Sequence, residues 1–525
     1  MPRRSLVAVL AVVAACAPAP AMPRQPPAAP RSAKKAQRPV AVRHSDEAPT
    51  APVQATPPVP QIRTGGLDAA LGKQGKGVRA SVGVYDAATG TRLYESGGDA
   101  LRRPASVMKV ATTAAAMLAL GPSAELSTEV FATSEPDAEG AVAGDLVMRG
   151  DGDPGINNRA GPGAAEAALA EMAKAVHAKV KKVSGDLVMD DTAFAGPMRH
   201  PGWNWDDGEW AWYMAPVSSL LLTDACVEVS VLPGDGEGAA GVVKMDPVTG
   251  AVRFVNKVTT AAAGQKKTNV VLGRSDGAGT IPVTGNVPKG SKGYSFDAAC
   301  VDPAAHLGDV FLRVLRSEGV EVAGKVVVLH GPGASSPETM VSADTSTLVP
   351  LARHATSVLD VVRIANKHSQ NLYAELLLRA VARAKGAEGS FDGGCRAARM
   401  VLGFDEADAT FKQVDGSGLA RENQVTVGAL GKILVAMYAS PSARDFIASM
   451  PEPGDADGTL RRRMEAPKFA GHVFAKTGTL RDTSSLAGYV RSQSGRTFAF
   501  VVLCEGDVTR GRDLQDDVVE ALVDQ

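Results

Sequence analysis

The sequence has few aromatic residues and few cysteines, and its charges nearly cancel. Aromatic residues make up 5% of the 525 residues, and the formal net charge is −1 at pH 7. A chain that coats nucleic acid carries a strong positive charge and often has aromatic stacking platforms, so that function is not indicated. The five cysteines form no CxxC pair, and none lies near a histidine at metal-ligand spacing. We therefore expect no structural zinc site, no bound cofactor and no nucleic-acid partner.

The apolar run near the N-terminus is too short to span a bilayer. It covers Leu6–Ala15 and follows Arg3 and Arg4, whereas a transmembrane helix needs about 20 residues. A basic flank, a short apolar core and small residues after it are typical of a signal peptide. We predict a signal peptide over residues 1–21, with a buried N-terminal helix as the alternative.

The end of this run resembles a lipobox. In the string Val13-Ala14-Ala15-Cys16 the cysteine would be lipidated and become the new N-terminus. Ordinary cleavage after Ala21 is the alternative, because Ala19-Pro20-Ala21 also has the A-x-A form. Both routes predict an exported protein of the periplasm or cell envelope, which contacts the membrane only through a lipid on Cys16.

Composition divides the mature chain into three parts. Residues 22–65 are rich in proline and alanine, with scattered basic residues, which predicts a disordered linker. Residues 128–299 consist of short strand-like runs between Gly, Asp and Pro, which predicts a β-rich insertion. The fold class is therefore α+β, in which a helix-plus-antiparallel-sheet domain of residues 66–127 and 300–525 is interrupted by that insertion. Cys226 and Cys300 flank the second half of the insertion, and we expect a disulfide between them.

Hydrophobic periodicity gives the individual elements. The predicted strands of the interrupted domain are 81–85, 91–94, 472–478, 485–490 and 497–504. The predicted helices are 106–118, 163–181, 303–318, 357–365, 369–385, 425–439 and 513–523.

The first chemical motif is Ser106-Val107-Met108-Lys109. On a helix, residues three apart lie on one face with about 5–6 Å between their Cβ atoms, so the amine can take the hydroxyl proton and activate the serine. Taken singly, helix capping beside a surface lysine explains the pattern, and Ser32-Ala33-Lys34-Lys35 repeats the spacing inside the linker. The predicted helix is strongly apolar, however, and burial would lower the pKa of Lys109 towards that of a usable base.

Two further motifs follow in order along the chain. Ser369-Gln370-Asn371 lies at the start of a predicted helix, and Lys476-Thr477-Gly478-Thr479 lies on a predicted strand. Alone, the first is explained as a helix N-cap and the second as an exposed lysine beside a turn glycine. As an ordered set on helix, helix start and strand, the three motifs predict an active site with a serine nucleophile.

This order of SxxK, SxN and KTG resembles the penicillin-binding protein and serine β-lactamase superfamily. The surrounding strings resemble more narrowly the class C low-molecular-mass penicillin-binding proteins, the D-alanyl-D-alanine carboxypeptidase/endopeptidase family. These strings are Asn366–Glu375, Asp415–Gly418, Ala475–Leu480, Gly150–Pro154, Pro201–Asp206 and Ala215–Ser219. The resemblance runs from about residue 66 to residue 525.

The resemblance implies a five-stranded antiparallel sheet with flanking helices, an all-helical lobe and extra domains inserted between the first and second motifs. It also implies peptidoglycan peptides as substrates and β-lactam antibiotics as covalent inhibitors. Ser106 would be the nucleophile and Lys109 its base, while Ser369 would relay a proton to the leaving amine. Asn371 would hold the substrate amide and Lys109, and Lys476 would supply positive charge opposite a substrate carboxylate. Thr477 and Gly478 would bind the substrate along the strand. The backbone N–H groups of Ser106 and Thr479 would form the oxyanion hole.

Two departures accompany the resemblance. Gln370 stands where family members commonly carry aspartate, and we expect it to tune activity because its side chain points away from its neighbours. Leu222–Ala225 departs from the asparagine-rich string expected after Ala215–Ser219, which concerns the insertion rather than the chemistry.

Two alternative functions stay open at this stage. A serine β-lactamase would use the same serine and lysine, but it needs a deacylating base, and we find no such glutamate motif. The other alternative is a non-catalytic protein that binds β-lactams or peptidoglycan.

Overall fold

The computed structural model describes residues 61–73, 77–203, 210–265, 268–273, 280–333 and 348–525. The predicted signal peptide, Cys16 and most of the predicted linker lie outside these residues. No helix in the described part of the chain is both long enough and apolar enough to cross a membrane.

The described residues contain ten α-helices and twenty-one β-strands. The helices are α1 Gly65–Lys73, α2 Met108–Ala119, α3 Ala164–Lys179, α4 Pro303–Ser317, α5 Val358–Lys367, α6 Asn371–Ala384, α7 Phe391–Val401, α8 Val427–Tyr438, α9 Ala443–Ala448 and α10 Val508–Val523. The strands are β1 Val78–Asp86, β2 Arg92–Ser96, β3 Glu125–Ala132, β4 Ala141–Val142, β5 Leu146–Gly150, β6 Lys182–Val183, β7 Leu187–Asp191, β8 Cys226–Leu232, β9 Val242–Asp246, β10 Arg253–Ala261, β11 Asn269–Leu272, β12 Thr280–Pro288, β13 Tyr294–Ala299, β14 Glu321–Val322, β15 Val326–His330, β16 Val349–Ser357, β17 Phe411–Lys412, β18 Gln424–Val425, β19 Val473–Leu480, β20 Thr483–Arg491 and β21 Thr497–Gly506.

A five-stranded antiparallel sheet joins the two ends of the described chain, in the order β19-β20-β21-β1-β2. Its central strand β21 is buried on both faces, as its continuous apolar run requires. Phe500 and Val502 pack into one core with α10, whereas Val501 and Leu503 pack into another core with α8. The sheet and its covering helices confirm the predicted α+β class.

Six of the seven predicted helix starts differ from the observed ones by one to five residues, and three of these differences have a clear local cause. α6 begins at Asn371 rather than 369, because Ser369 has a left-handed backbone with φ 57° that cannot belong to a right-handed helix. α2 begins at Met108, since Ser106 lies in a 3-10 turn, Ala105–Val107. α10 begins at Val508 rather than 513, because the Asp507 carboxylate caps it by accepting from the N–H groups of Thr509 and Arg510.

The inserted segment is built on a mixed sheet in the order β15-β7-β5-β3-β16, with α3 and α4 packed in its core. β16 pairs antiparallel with β3, so residues 125–132 and 349–357 lie side by side. Smaller sheets follow the orders β14-β6-β4, β13-β8-β9, β10-β12-β11 and, outside the insertion, β17-β18. We therefore propose that the insertion runs from β3 to β16 rather than over the predicted 128–299.

The two cysteines expected to pair lie close together but are free thiols. Cys226 opposes Ala299 across β8 and β13, and the Cys300 thiol donates to the Ala225 carbonyl at 3.0 Å. The structure therefore contradicts the predicted disulfide. Burial raises the pKa of both thiols well above the ordinary value and keeps them protonated.

A buried histidine at the end of β15 contacts two carboxylates, one at the end of β7 and one directly before α4. His330 contacts the Asp191 carboxylate through Nδ1 at 3.2 Å and the Asp302 carboxylate through Nε2 at 3.1 Å. Asp302 also caps α4 by accepting from the Ala305 N–H at 3.0 Å. Burial alone would lower the pKa of His330, but the hydrogen bonds to the two carboxylates raise it to about 9.

This pKa predicts a pH-dependent contribution to stability. The folded pKa lies above the ordinary histidine value, so the stabilisation is fully present below pH ~6.5 and is lost as the pH rises through about 9. Melting temperatures of the wild type and His330→Asn, measured from pH 6 to 10, should differ most near pH 6.5 and converge towards pH 10. A gap that is constant across this range would show that His330 is not charged in the folded protein.

Candidate active site

Ser106 lies in a strained turn directly before α2, and Lys109 lies one turn further on. Ala105 has φ 48°, which is uncommon for a residue other than glycine. Lys109 is completely buried. Its Nζ lies within hydrogen-bond distance of three oxygens: Ser106 Oγ at 3.0 Å, Asn371 Oδ1 at 2.7 Å and the Ser417 carbonyl at 2.9 Å. The structure therefore brings the first motif and the asparagine of the second motif into direct contact.

The serine of the second motif contacts the lysine of the third. Lys476 is also completely buried, and its Nζ donates to Ser369 Oγ at 2.9 Å and to the Thr477 carbonyl at 2.7 Å. Asn371, which begins α6, donates through Nδ2 to the Tyr213 carbonyl of the insertion at 2.9 Å. The side chains of the three motifs thus meet in two contacts, Asn371 with Lys109 and Ser369 with Lys476.

β19 carries the third motif directly beside the Ser106 turn. A Cβ on Gly478 would lie 2.6 Å from the Pro104 carbonyl and 3.0 Å from the Ser106 nitrogen, so only glycine permits this approach. The Thr477 hydroxyl donates to Thr459 Oγ1 at 2.8 Å. The Thr479 side chain is exposed, and its hydroxyl accepts from Arg512 at 3.3 Å.

The loop 415–418 completes the site, and its role was not predicted from the sequence. The Glu375 carboxylate accepts from the N–H groups of Gly416 and Ser417 at 2.7 and 2.8 Å. The Asp415 carboxylate accepts from the N–H group of Gly418 at 2.7 Å. These bonds aim the Ser417 carbonyl at Lys109. The string Asp415–Gly418 was noticed only for its resemblance, since a backbone acceptor leaves no signature in side-chain patterns.

Burial dominates the electrostatics of the site. It lowers the pKa of Lys109 to about 7, although the charges of Glu375 and Asp415 act in the opposite direction. Burial and the nearby charge of Lys109 lower the pKa of Lys476 well below its ordinary value. Burial, followed by repulsion from Asp415, raises the pKa of Glu375 to about 8. A neutral amine beside a serine hydroxyl can act as its base near neutral pH.

A cavity of about 460 Å³ opens beside the second motif. Residues of both the insertion and the motif line it, among them Asn157, Arg159, Trp212, Asp224, His368 and Gln370. Within the described ranges, no group of three or more His, Cys, Asp or Glu side chains is arranged to hold a metal ion.

The fold is shared with a solved penicillin-binding protein. The structure of penicillin binding protein 4 from Haemophilus influenzae is similar with a TM-score of 0.73 and 23% identity, covering 87% of this chain and 99% of that one. Its complex with a β-lactam is similar with a TM-score of 0.69 and 22% identity, with the same coverage of both chains. These likenesses define the fold as that of a penicillin-binding protein.

The family follows from sequence comparison. Residues 64–524 match the model of the D-Ala-D-Ala carboxypeptidase 3 (S13) family. A D-alanyl-D-alanine carboxypeptidase of an Actinomadura species is 34% identical over 445 residues, which cover 82% of this chain and 78% of that protein. The chain belongs to the D-Ala-D-Ala carboxypeptidase 3 (S13) family, which confirms the resemblance seen in its motifs.

The contact between the 415–418 loop and the Ser106 turn predicts that a methyl group added at Gly418 strongly destabilises the folded protein. Gly418 has φ 80°, and a Cβ there would lie 1.8 Å from the Ala105 carbonyl. Gly418→Ala should lose about 2 kcal/mol or more of unfolding free energy, because strain and a backbone clash add. Urea unfolding measures this loss.

Gly454→Ala is the matched control, since Gly454 has φ 75° and nothing lies within 4 Å of its added Cβ. It should lose only the cost of the left-handed backbone, about 1 kcal/mol. Equal losses in the two variants would show that the loop and the turn do not meet as described.

Proposed function

We propose that the protein is a serine-type D-alanyl-D-alanine carboxypeptidase or DD-endopeptidase that cleaves peptidoglycan stem peptides through an acyl-enzyme at Ser106. The observation that carries this proposal is the contact of 3.0 Å between Lys109 Nζ and Ser106 Oγ at a completely buried amine. Membership of the D-Ala-D-Ala carboxypeptidase family supports the choice of substrate.

In the first step, the neutral amine of Lys109 takes the proton of the Ser106 hydroxyl while Oγ bonds to the carbonyl carbon between two D-alanyl residues. The backbone N–H groups of Ser106 and Thr479 receive the developing oxyanion, where each donor contributes about 3–4 kcal/mol. The close approach of β19 at Gly478 supports this role, since it brings the strand beside the Ser106 nitrogen.

In the second step, the C–N bond breaks, and the proton that Lys109 took in the first step passes through the Ser369 hydroxyl to the leaving amine. Lys476, 2.9 Å from Ser369 Oγ, steadies this transfer. The pKa of Lys476 is lowered in the free site, mainly by burial, and a substrate carboxylate opposite it would raise that pKa and restore its charge. Water then hydrolyses the ester of Ser106 and regenerates the enzyme.

The carboxylates of the site favour a peptidase over a β-lactamase. A β-lactamase needs a base that activates water at the acyl-ester. Glu375 binds two backbone N–H groups, and Asp415 binds those of Gly418 and Ala420. Both carboxylates are completely buried and occupied, so a penicillin adduct on Ser106 should be long-lived.

We also propose that the enzyme works outside the cytoplasmic membrane, where peptidoglycan lies. The basic flank and apolar run of residues 1–21 support export. A lipid on Cys16 and the proline-rich segment 22–65 would then hold the catalytic domain away from the membrane surface.

The test follows both partial reactions with labelled penicillin and with a pentapeptide that ends in D-Ala-D-Ala. The wild type should form a stable penicillin adduct and release D-alanine. Lys109→Arg should lose acylation by several powers of ten while its circular dichroism is unchanged, because an arginine with a pKa above about 12 cannot take the proton.

The matched control is Lys432→Arg, which makes the same exchange on α8, where Nζ donates to the Gly403 carbonyl; it should keep the wild-type rate. Rapid turnover of the penicillin adduct would indicate a β-lactamase instead, and an adduct without release of D-alanine would indicate a β-lactam-binding sensor. Acylation of Lys109→Arg within tenfold of the wild type would show that Lys109 is not the base.

A further inference from the structure

The second motif has an unusual backbone that its own helix does not explain. Ser369 lies in the left-handed region at φ 57°, where a residue with a side chain costs free energy unless its surroundings hold it. The Gln370 side chain accepts only from the neighbouring Asn371 N–H, at 3.1 Å. The groups that fix Ser369 must therefore come from elsewhere in the fold.

Side chains at the start of α6, including its N-cap Gln370, bind the insertion. The Tyr373 hydroxyl donates to Asp224 Oδ1 at 2.9 Å, and Gln370 Nε2 donates to Asp224 Oδ2 at 3.4 Å. Asn371 lies between these two residues and donates to the Tyr213 carbonyl at 2.9 Å. The prediction that the Gln370 side chain points away from its neighbours is therefore wrong, since its Oε1 accepts from the adjacent Asn371 N–H and its Nε2 donates to Asp224.

Asp224 is itself held in a strained position. Thr223, Asp224 and Ala225 have φ values of 47°, 57° and 57°. Runs of left-handed residues other than glycine persist only where the surrounding structure determines them, and they cluster at functional sites. Arg159 forms an ion pair with Asp224 and lies over the Tyr373 ring, with its guanidinium carbon 5.1 Å from the ring centroid.

We infer that Asp224, acting through Tyr373 and Gln370, is the positioning residue that holds Ser369 and Asn371 in their reactive arrangement. The inference rests on the proposed function, since it assigns the insertion a part in the same reaction. Tyr373 is 2% exposed, and burial, with the charge of Asp224, keeps the pKa of its hydroxyl well above the ordinary value. The hydroxyl therefore stays protonated, and Asp224 at 2.9 Å is a nearer acceptor for it than the Pro154 carbonyl at 3.4 Å.

The contact between the start of α6 and Asp224 also affects the protonation of Lys109, the proposed base. Asn371 Oδ1 accepts from Lys109 Nζ at 2.7 Å, and such an acceptor favours the charged ammonium. If the start of α6 loosens, this support weakens, and loss of the acceptor moves the pKa of Lys109 further down. Acylation then becomes slower, because Ser369 and Asn371 no longer hold their positions. The acidic limb of the pH profile of acylation moves to lower pH.

The experiment compares Tyr373→Phe, Asp224→Asn and the double variant in the full-length protein. Tyr373→Phe removes one hydroxyl without backbone strain. Asn tolerates a left-handed backbone but offers one acceptor oxygen where Asp offers two. Each single variant should acylate with penicillin about tenfold more slowly, with the acidic limb of the pH profile shifted downwards. The double variant should be little slower than the singles, because both substitutions disrupt the same contact between the Tyr373 hydroxyl and Asp224.

Tyr489→Phe is the matched control, since its buried hydroxyl donates at 2.7 Å to the Leu434 carbonyl of α8, which belongs to none of the three motifs. It should lower the melting temperature but leave the rate and the pH profile unchanged. The inference is overturned if Tyr373→Phe and Asp224→Asn behave like this control, or if their effects simply add. A wild type that does not react with penicillin would contradict the proposed function itself. An active wild type whose variants react at the wild-type rate would contradict only this inference.

Discussion

The removal of the Lys109 amine from water is the constraint on which the site depends. An ammonium group in an apolar interior is costly, and burial therefore favours the neutral amine and lowers its pKa to about 7. Three oxygens still surround the amine, from Ser106, Asn371 and Ser417. The neutral amine donates its two hydrogens to Asn371 and Ser417 and accepts from the Ser106 hydroxyl through its lone pair, which fixes it beside the proton that it takes.

Each of these oxygens is positioned by a different part of the chain. The Ser417 carbonyl is directed by a loop whose N–H groups bind Glu375 and Asp415. Asn371 is held by the start of α6, which is anchored to the insertion through Asp224. The five-stranded sheet brings β19 beside the serine turn from the far end of the sequence. The site is therefore a product of the whole fold, and the insertion borders it directly.

The sequence was sufficient for the strands of the main sheet and for the three motifs. Apolar runs and the spacing of Ser106 and Lys109 are local properties, so periodicity identifies them. The left-handed Ser369, the pairing of β16 with β3 and the position of the Ser417 carbonyl depend on contacts between distant segments, which no local pattern encodes. Cys226 and Cys300 illustrate the same limit, since neighbouring positions on paired strands do not determine whether two thiols are oxidised.

The central claim is that Lys109 is neutral near physiological pH, and its titration can be observed directly. Nuclear magnetic resonance of protein labelled with ¹³C at the lysine Cε, with Lys109→Arg to assign the resonance, follows the charge of this amine as the pH changes. A midpoint near 7 agrees with a buried base poised to activate Ser106. A midpoint near the ordinary lysine value of about 10.4 would contradict it, because the amine would then be protonated and unable to take the serine proton.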